Sequence, residues 1–249
     1  MSKSRAALTH LWPTLLLLAI LATVTLFFWY PYPFRQFGDS GKFALLLILT
    51  AALIGPALTF LVYKKGKRGL LLDLVVISLV QIAALGWGAF SLYQNRPYFM
   101  VFTVDRFEVL SQRDVDLSWI KDPRFLEKPT TGPILLYANM PANPADYQQL
   151  LKEVMFEGKP DLQFRPEFWS LYTERQQAVL QKSRPLDDLR QARPDSTVEI
   201  DTLVQDHDRN IDQLRFVPAL PRTGQFAVIL DAQNGDVIDT LVVDPWLSQ

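Results

Sequence analysis

Cysteine is absent from all 249 residues, which excludes a disulfide-stapled fold, a Cys-ligated zinc or iron–sulfur site and a cysteine nucleophile. Histidine is scarce, with only His10 and His207. Acidic residues are nearly missing from the first 94 positions, where Asp39 and Asp73 are the only two of the chain's 26. Eight of its 25 Lys and Arg fall in the same stretch, so the overall formal charge of −1 conceals a first part near +6 and a second near −7. A net-acidic second part argues against nucleic acid as a partner.

Charge is missing altogether from residues 11–30 and 43–63, and residues 70–93 carry only Asp73. Each run is close to the ~20 residues a helix needs to cross the hydrocarbon layer of a bilayer. None shows the polar stripe of a soluble helix, and aromatic residues mark the ends: Phe27 to Tyr30, Tyr63 and Tyr93. Residues 1–94 therefore read as a three-span membrane anchor embedded in a lipid bilayer. A cleaved signal peptide is the competing reading of the first run, but that run is too long and ends in Trp29-Tyr30-Pro31 rather than in small residues.

Basic residues set the expected orientation. Lys64, Lys65, Lys67 and Arg68 crowd the loop after the second span, whereas residues 31–42 carry Arg35, Lys42 and Asp39. The positive-inside rule places that basic loop and the N-terminus in the cytoplasm. Three spans then put residues 95–249 outside, which for a bacterial inner membrane is the periplasm.

Within the spans, Gly55-Pro56 interrupts the second and reads most simply as a packing kink. Asp73 lies just past the basic loop, with two readings open: an interfacial pair with Lys67 or Arg68, or a carboxylate facing a partner. Gln81, two turns further in, is placed to hydrogen-bond another helix.

Residues 95–249 are enough for one domain with its own core. Tyr98 to Val104 reads as a strand that Phe107 to Leu110 continues. Helices are expected over 144–156 behind Asn143-Pro144, over 166–182 behind Arg165-Pro166, and over 197–212 with Ser196 as the cap. Residues 183–196 read as a connection around a short helical turn. Strands follow at Leu214–Val217, Gln225–Leu230 and Val237–Val243, the last two joined by an Asn234-Gly235 hairpin turn. Strand, helices, then strands predicts a small periplasmic α+β domain with an antiparallel sheet.

Catalytic motifs are missing: no His-Glu-x-x-His, no Gly-x-Ser-x-Gly, no phosphate-binding glycine loop. Asp206-His207-Asp208 hints at an oriented base, but consecutive helical residues point apart, and His207 reads as a structural histidine. The acids from Asp231 to Asp239 lack the ligand spacing of a calcium loop. Asp105-Arg106 reads as a salt-bridged strand end. No catalytic, cofactor or metal residue emerges.

A set of short motifs in a fixed order remains. Trp29-Tyr30-Pro31-Tyr32-Pro33 follows the first span, Gly55-Pro56-Ala57-Leu58-Thr59 lies in the second, and Leu72-Asp73-Leu74 opens the third. Gln81 with Ala84-Leu85-Gly86-Trp87-Gly88, Arg96-Pro97 before Val101-Phe102-Thr103-Val104-Asp105-Arg106-Phe107, and Val243-Asp244-Pro245-Trp246 complete it. In this the chain resembles the type IV pilin accessory proteins of the TfpX/TfpZ family, most strongly over residues 29–107.

The resemblance implies a non-enzymatic inner-membrane chaperone dedicated to one pilin, a subunit with a single hydrophobic helix and a periplasmic head. On that footing Asp73 would pair with the pilin's N-terminal amine, Gly55, Gly86 and Gly88 would let its helix approach closely, and Pro56 and Gln81 are further candidate contacts. Trp119, Phe168 and Trp169 are candidate contacts for the head, with core packing as the alternative for each. A competing class is a membrane-anchored periplasmic enzyme acting on glycans through Glu167 and Glu174. These lie seven apart on one expected helix face, whereas acid–base pairs usually straddle a cleft. A signalling sensor would lack a cytoplasmic output domain.

Overall fold

The computed structural model describes residues 3–34, 40–65, 67–221 and 224–247; Arg35 and Asp39 of the orientation argument lie outside them. Helix α1 (Lys3–Val24) runs on into a π-helical turn at Thr25–Trp29, and is followed by α2 (Ser40–Val62) and α3 (Leu70–Gln94). Three helical stretches, Lys3–Trp29, Lys42–Val62 and Leu70–Gln94, are long and apolar enough to span a membrane. Pro13 and Pro56 are accommodated inside α1 and α2. Gly69, at φ +86°, makes the left-handed turn that starts α3.

The chain divides into two compact units, Met1–Pro31 with Asp39–Arg96, and Tyr32–Gly38 with Pro97–Gln249. In the first, Leu18, Ala51 and Leu85 form a small cluster with Leu47, Ile48 and Ala52. One end of this unit is aromatic: Trp29 meets Tyr93 edge-on at 5.5 Å, the Tyr30 hydroxyl donates to the Leu92 carbonyl at 3.0 Å, and the Arg96 guanidinium lies 3.6 Å from the Tyr93 ring centroid. Amphipathic rings and a stacked guanidinium suit the water–lipid boundary.

The second unit is built on one mixed sheet. Its strands are β1 (Phe99–Thr103), β2 (Arg106–Leu110), β3 (Ile134–Ala138), β4 (Trp169–Leu171), β5 (Arg184–Pro185), β6 (Leu214–Leu220), β7 (Phe226–Asp231) and β8 (Val237–Val242). The order is β4-β3-β1-β2-β6-β7-β8, with β5 pairing β6. Helices α4 (Pro144–Phe156), α5 (Gln176–Lys182), α6 (Leu186–Ala192) and α7 (Thr197–Asp206) complete it.

Several local expectations are corrected. Residues 107–110 do not extend the first strand. Val104, at φ 55°, turns the chain back, and Arg106–Leu110 pairs antiparallel with β1. The sheet is not purely antiparallel, since β1 runs parallel to β3 and β2 parallel to β6. The helix expected over 166–182 is a 3-10 turn, strand β4, a second 3-10 turn and α5 only. Helix α7 stops at Asp206, with His207 as its C-cap. The Asn234-Gly235 turn forms as read: Gly235 has φ +81°, and its carbonyl accepts from the buried Tyr172 hydroxyl at 2.5 Å.

On one face of the sheet Phe99, Val101 and Leu136 pack with Leu150 and Trp169, while on the other Phe102, Phe107, Val217 and Val228 form a second cluster. A third joins Leu186, Leu189, Ile200, Phe216 and Ile229. Helix α4 is tied down by the buried Arg165, which reaches Glu153 at 2.7 Å and Glu167 at 2.8 Å. Hydrogen bonds from Gln149, Lys159 and Arg165 hold the Glu153 carboxyl well below the usual range.

Candidate functional site

Gln81 sits at the junction of the three membrane helices. Its side-chain carbonyl oxygen lies 2.8 Å from His10 Nε2 on α1, and its amide donates to the Ala51 carbonyl on α2 at 3.0 Å and to Thr14 Oγ1 on α1 at 3.3 Å. Thr14 in turn donates to the His10 carbonyl at 3.0 Å, and Thr59 Oγ1 is 3.3 Å from His10 Nδ1. In the Nε2-protonated tautomer the ring donates to Gln81 and accepts from Thr59 on Nδ1. Polar groups with no water to turn to are in this way satisfied inside the chain.

Glycine creates the space. A Cβ on Gly55 would lie 2.0 Å from the Gln81 side-chain oxygen, so the amide occupies the volume where a side chain would stand. Gly88 does the same for Leu47, whose methyl carbons would fall 2.6 Å from a Cβ there. The close approaches expected of Gly55 and Gly88 are thus used within the bundle. Gly86 has nothing within 4 Å. Beside Gln81 an apolar groove of about 240 Å³ opens between α2 and α3, lined by small residues (Thr50, Ala51, Gly55, Ala84) and by Ile54 and Val80. A smaller recess of about 170 Å³, reached by His10, Thr14 and Ser78, lies on the other side of Gln81. Helix α3 buries only Leu85, Gly88 and Leu92.

The other candidates fall in different places. Pro56 is one residue from the Gln81 seat in α2, and Asp73 is bonded to Lys67 at 2.6 Å, the interfacial pair among its two readings. Trp169 is buried between Phe99 and Phe125, with ring centroids at 5.1 and 6.1 Å, and Phe168 packs partly buried on the same cluster. Trp119 keeps 41% of its surface exposed. Glu167 and Glu174 are not brought together on one helix: the first pairs with Arg165 and the second with Arg124, each at 2.8 Å. No group of three or more metal-ligating side chains occurs among the described residues.

One constellation escaped the sequence reading. His207 Nε2 lies 2.8 Å from Asp239 Oδ2 on β8, and the Tyr32 hydroxyl donates to the same oxygen. The backbone N–H of Thr240 donates to Asp239 Oδ1 at 2.6 Å. Burial pushes the Asp239 carboxyl up to about 6, against the opposing pull of that N–H. These residues are 32 and 207 positions apart, so no local pattern could announce them.

A family model described as fimbrial assembly protein FimB matches residues 1–38. The chain is 27% identical over 243 residues to the serogroup I fimbrial assembly protein of Dichelobacter nodosus, covering 95% of this chain and 93% of that one. The serogroup C1 and C2 fimbrial assembly protein of the same organism is 31% identical over 108 residues, 43% of this chain and 82% of the relative. The chain belongs to the fimbrial assembly protein family. Similarity to family members runs through both units, since the serogroup E1 protein also aligns over 91% of this chain and 89% of its own length at 26% identity. No solved structure matches the chain.

Proposed function

We propose that this chain is a non-catalytic inner-membrane chaperone for a type IV pilin, of the TfpX/TfpZ kind, and that it holds the subunit before or during fimbrial assembly. The observation that carries the reading is the α2–α3 groove in a member of the fimbrial assembly family. Small residues along it allow a foreign helix to approach closely, which is where packing in lipid gains its energy. A pilin's single hydrophobic helix is an occupant of matching chemistry, and the second unit takes the periplasmic head, with the half-open Trp119 as a contact.

The orientation supports this reading. Lys3, Arg5, Lys64, Lys65, Lys67 and Arg68 flank the N-terminal end of α1, the C-terminal end of α2 and the N-terminal end of α3. That end is cytoplasmic by the positive-inside rule, and the second unit is periplasmic. Asp73 belongs to the cytoplasmic end, where a mature pilin's amine would compete with Lys67 for its carboxylate.

Two variants test the proposal in cells. Ala84→Leu fills the groove and is expected to reduce pilin co-purification at least about tenfold, which corresponds to about 1.4 kcal/mol of lost association. Photo-crosslinkers at the exposed Ile54 and Val80 are expected to trap the pilin itself, identified by mass. Asp73→Asn is expected to weaken co-purification by about tenfold on the scale of a partly desolvated charge pair. Unchanged pilin levels and crosslinks in the groove variant would refute the chaperone reading; unchanged binding in Asp73→Asn alone would remove the amine contact and leave the groove standing.

A further inference from the structure

The cations of the membrane unit gather at one end of it. Lys64, Lys65, Lys67 and Arg68 follow α2 and precede α3, and Lys3 and Arg5 stand in the first turn of α1. Lys3 reaches the same end, with its Nζ 5.8 Å from the ring centroid of Phe60 near the close of α2. Asp73 is the one acid among the described residues of the unit. The other end carries the aromatic rings, with Arg96 stacked on Tyr93.

These cations are available. Lys64, Lys65 and Arg68 are exposed and form no ion pair among the described residues. Lys67 holds Asp73 at 2.6 Å, but the two side chains are 40% and 30% exposed. Open pairs of this kind are weak, so Lys67 can exchange Asp73 for a better acceptor. Only residues 63–69 separate α2 from α3, so no cation can travel far from a helix end. The Lys67 N–H donates to the Lys64 carbonyl at 3.1 Å, and the Leu70 N–H to the Lys67 carbonyl at 3.4 Å, which tightens the loop further. A topological signal asks only for basic residues; a loop held this close to two apolar helices puts its charge at headgroup depth.

We propose that this end is a binding site for an anionic phospholipid, whose headgroup phosphate is taken by Lys64, Lys65 and Arg68, with Lys67 shared between that phosphate and Asp73. A guanidinium meets phosphate oxygens as a fork, and an ammonium meets them as a point charge. The excess of cations over the single acid selects a headgroup with net negative charge over a zwitterionic one bearing the same phosphate. Acyl chains in the surrounding hydrocarbon hold a lipid phosphate at this depth at high effective concentration, which free phosphate lacks. The site stands without the pilin reading. On that reading, a client amine that takes Asp73 frees Lys67 for the phosphate, and lipid and client favour each other's binding by the same factor.

Native mass spectrometry of the full chain in a neutral detergent tests the site with no pilin present. Phosphatidylglycerol and phosphatidylcholine of the same acyl chains are the probes. Phosphatidylglycerol is expected to bind at least about tenfold more tightly, since each Lys or Arg near a charged headgroup is worth about fivefold. Excess inorganic phosphate should not displace it. Lys64→Gln, Lys65→Gln and Arg68→Gln together should abolish the preference. Because losing those charges can also disturb insertion, Asp73→Asn is the decisive variant. It keeps every cation, releases Lys67 and should tighten phosphatidylglycerol by about fivefold with phosphatidylcholine unchanged. Equal binding of the two lipids, displacement by inorganic phosphate, or a preference that survives in the triple variant would overturn the site. No gain in Asp73→Asn would overturn the sharing of Lys67. Tighter lipid binding in Asp73→Asn with pilin co-purification unchanged would support the lipid site and remove only the amine contact.

Discussion

Replacing Gly55 by valine is expected to lower the stability of the membrane unit by about 3–5 kcal/mol. Overpacking costs about 1–3 kcal/mol, and evicting Gln81 removes three hydrogen bonds whose average value in a bilayer is about 0.6 kcal/mol each. The side-chain oxygen of Gln81 occupies the place of the new Cβ, at 2.0 Å, so the amide at the end of that flexible side chain must swing away and give up its partners. Reversible unfolding in mixed micelles or by steric trapping measures the loss. The sharper test is the cycle with Gln81→Ala. That change alone should cost only the hydrogen bonds, and in the Gly55→Val background it should restore stability by making room. Simple additivity of the two changes would contradict the seat described for Gln81.

Trp169→Ala is expected to destabilise the second unit by about 3–5 kcal/mol, the usual cost of truncating a buried aromatic. Trp169→Phe should cost far less, because the indole N–H has no hydrogen-bond partner among the described residues to lose. The pair of variants separates packing from recognition. A residue that only touches a pilin head would leave the melting temperature unchanged in both and weaken binding in both. A residue packed between Phe99 and Phe125 lowers the melting temperature in the alanine variant and spares it in the phenylalanine variant.

Legibility followed the length scale of each signal. The membrane helices were readable because long uncharged runs leave no alternative, and α4 was readable to the residue. Its Asn143 side chain accepts from the Ala145 N–H, Pro144 takes the first turn, and Leu150 and Val154 point into the core. The stretch 166–182 misled because Phe168, Trp169, Leu171 and Tyr172 fit a helical face and a β-rich run equally well. Pairing of Trp169–Leu171 with β3 decides it, and β3 itself went unread as a five-residue run behind Gly132-Pro133. The parallel pairings β1–β3 and β2–β6 are long-range choices that no local window contains. The site divides in the same way. Gln81 and Gly55 were visible as a polar residue and a glycine in apolar helices, but their mutual fit was not. His207 was weighed against its sequence neighbours when its partners were Asp239 and Tyr32.

The loop contact also has a consequence for the order of synthesis. Tyr32 emerges early, two membrane helices must then be made and inserted, and Asp239 follows 207 positions behind it. Domains ordinarily fold as the ribosome delivers them. Here the last strand has to find a segment made just after the first helix, so the contact of Tyr32 with Asp239 closes only once β8 has been delivered.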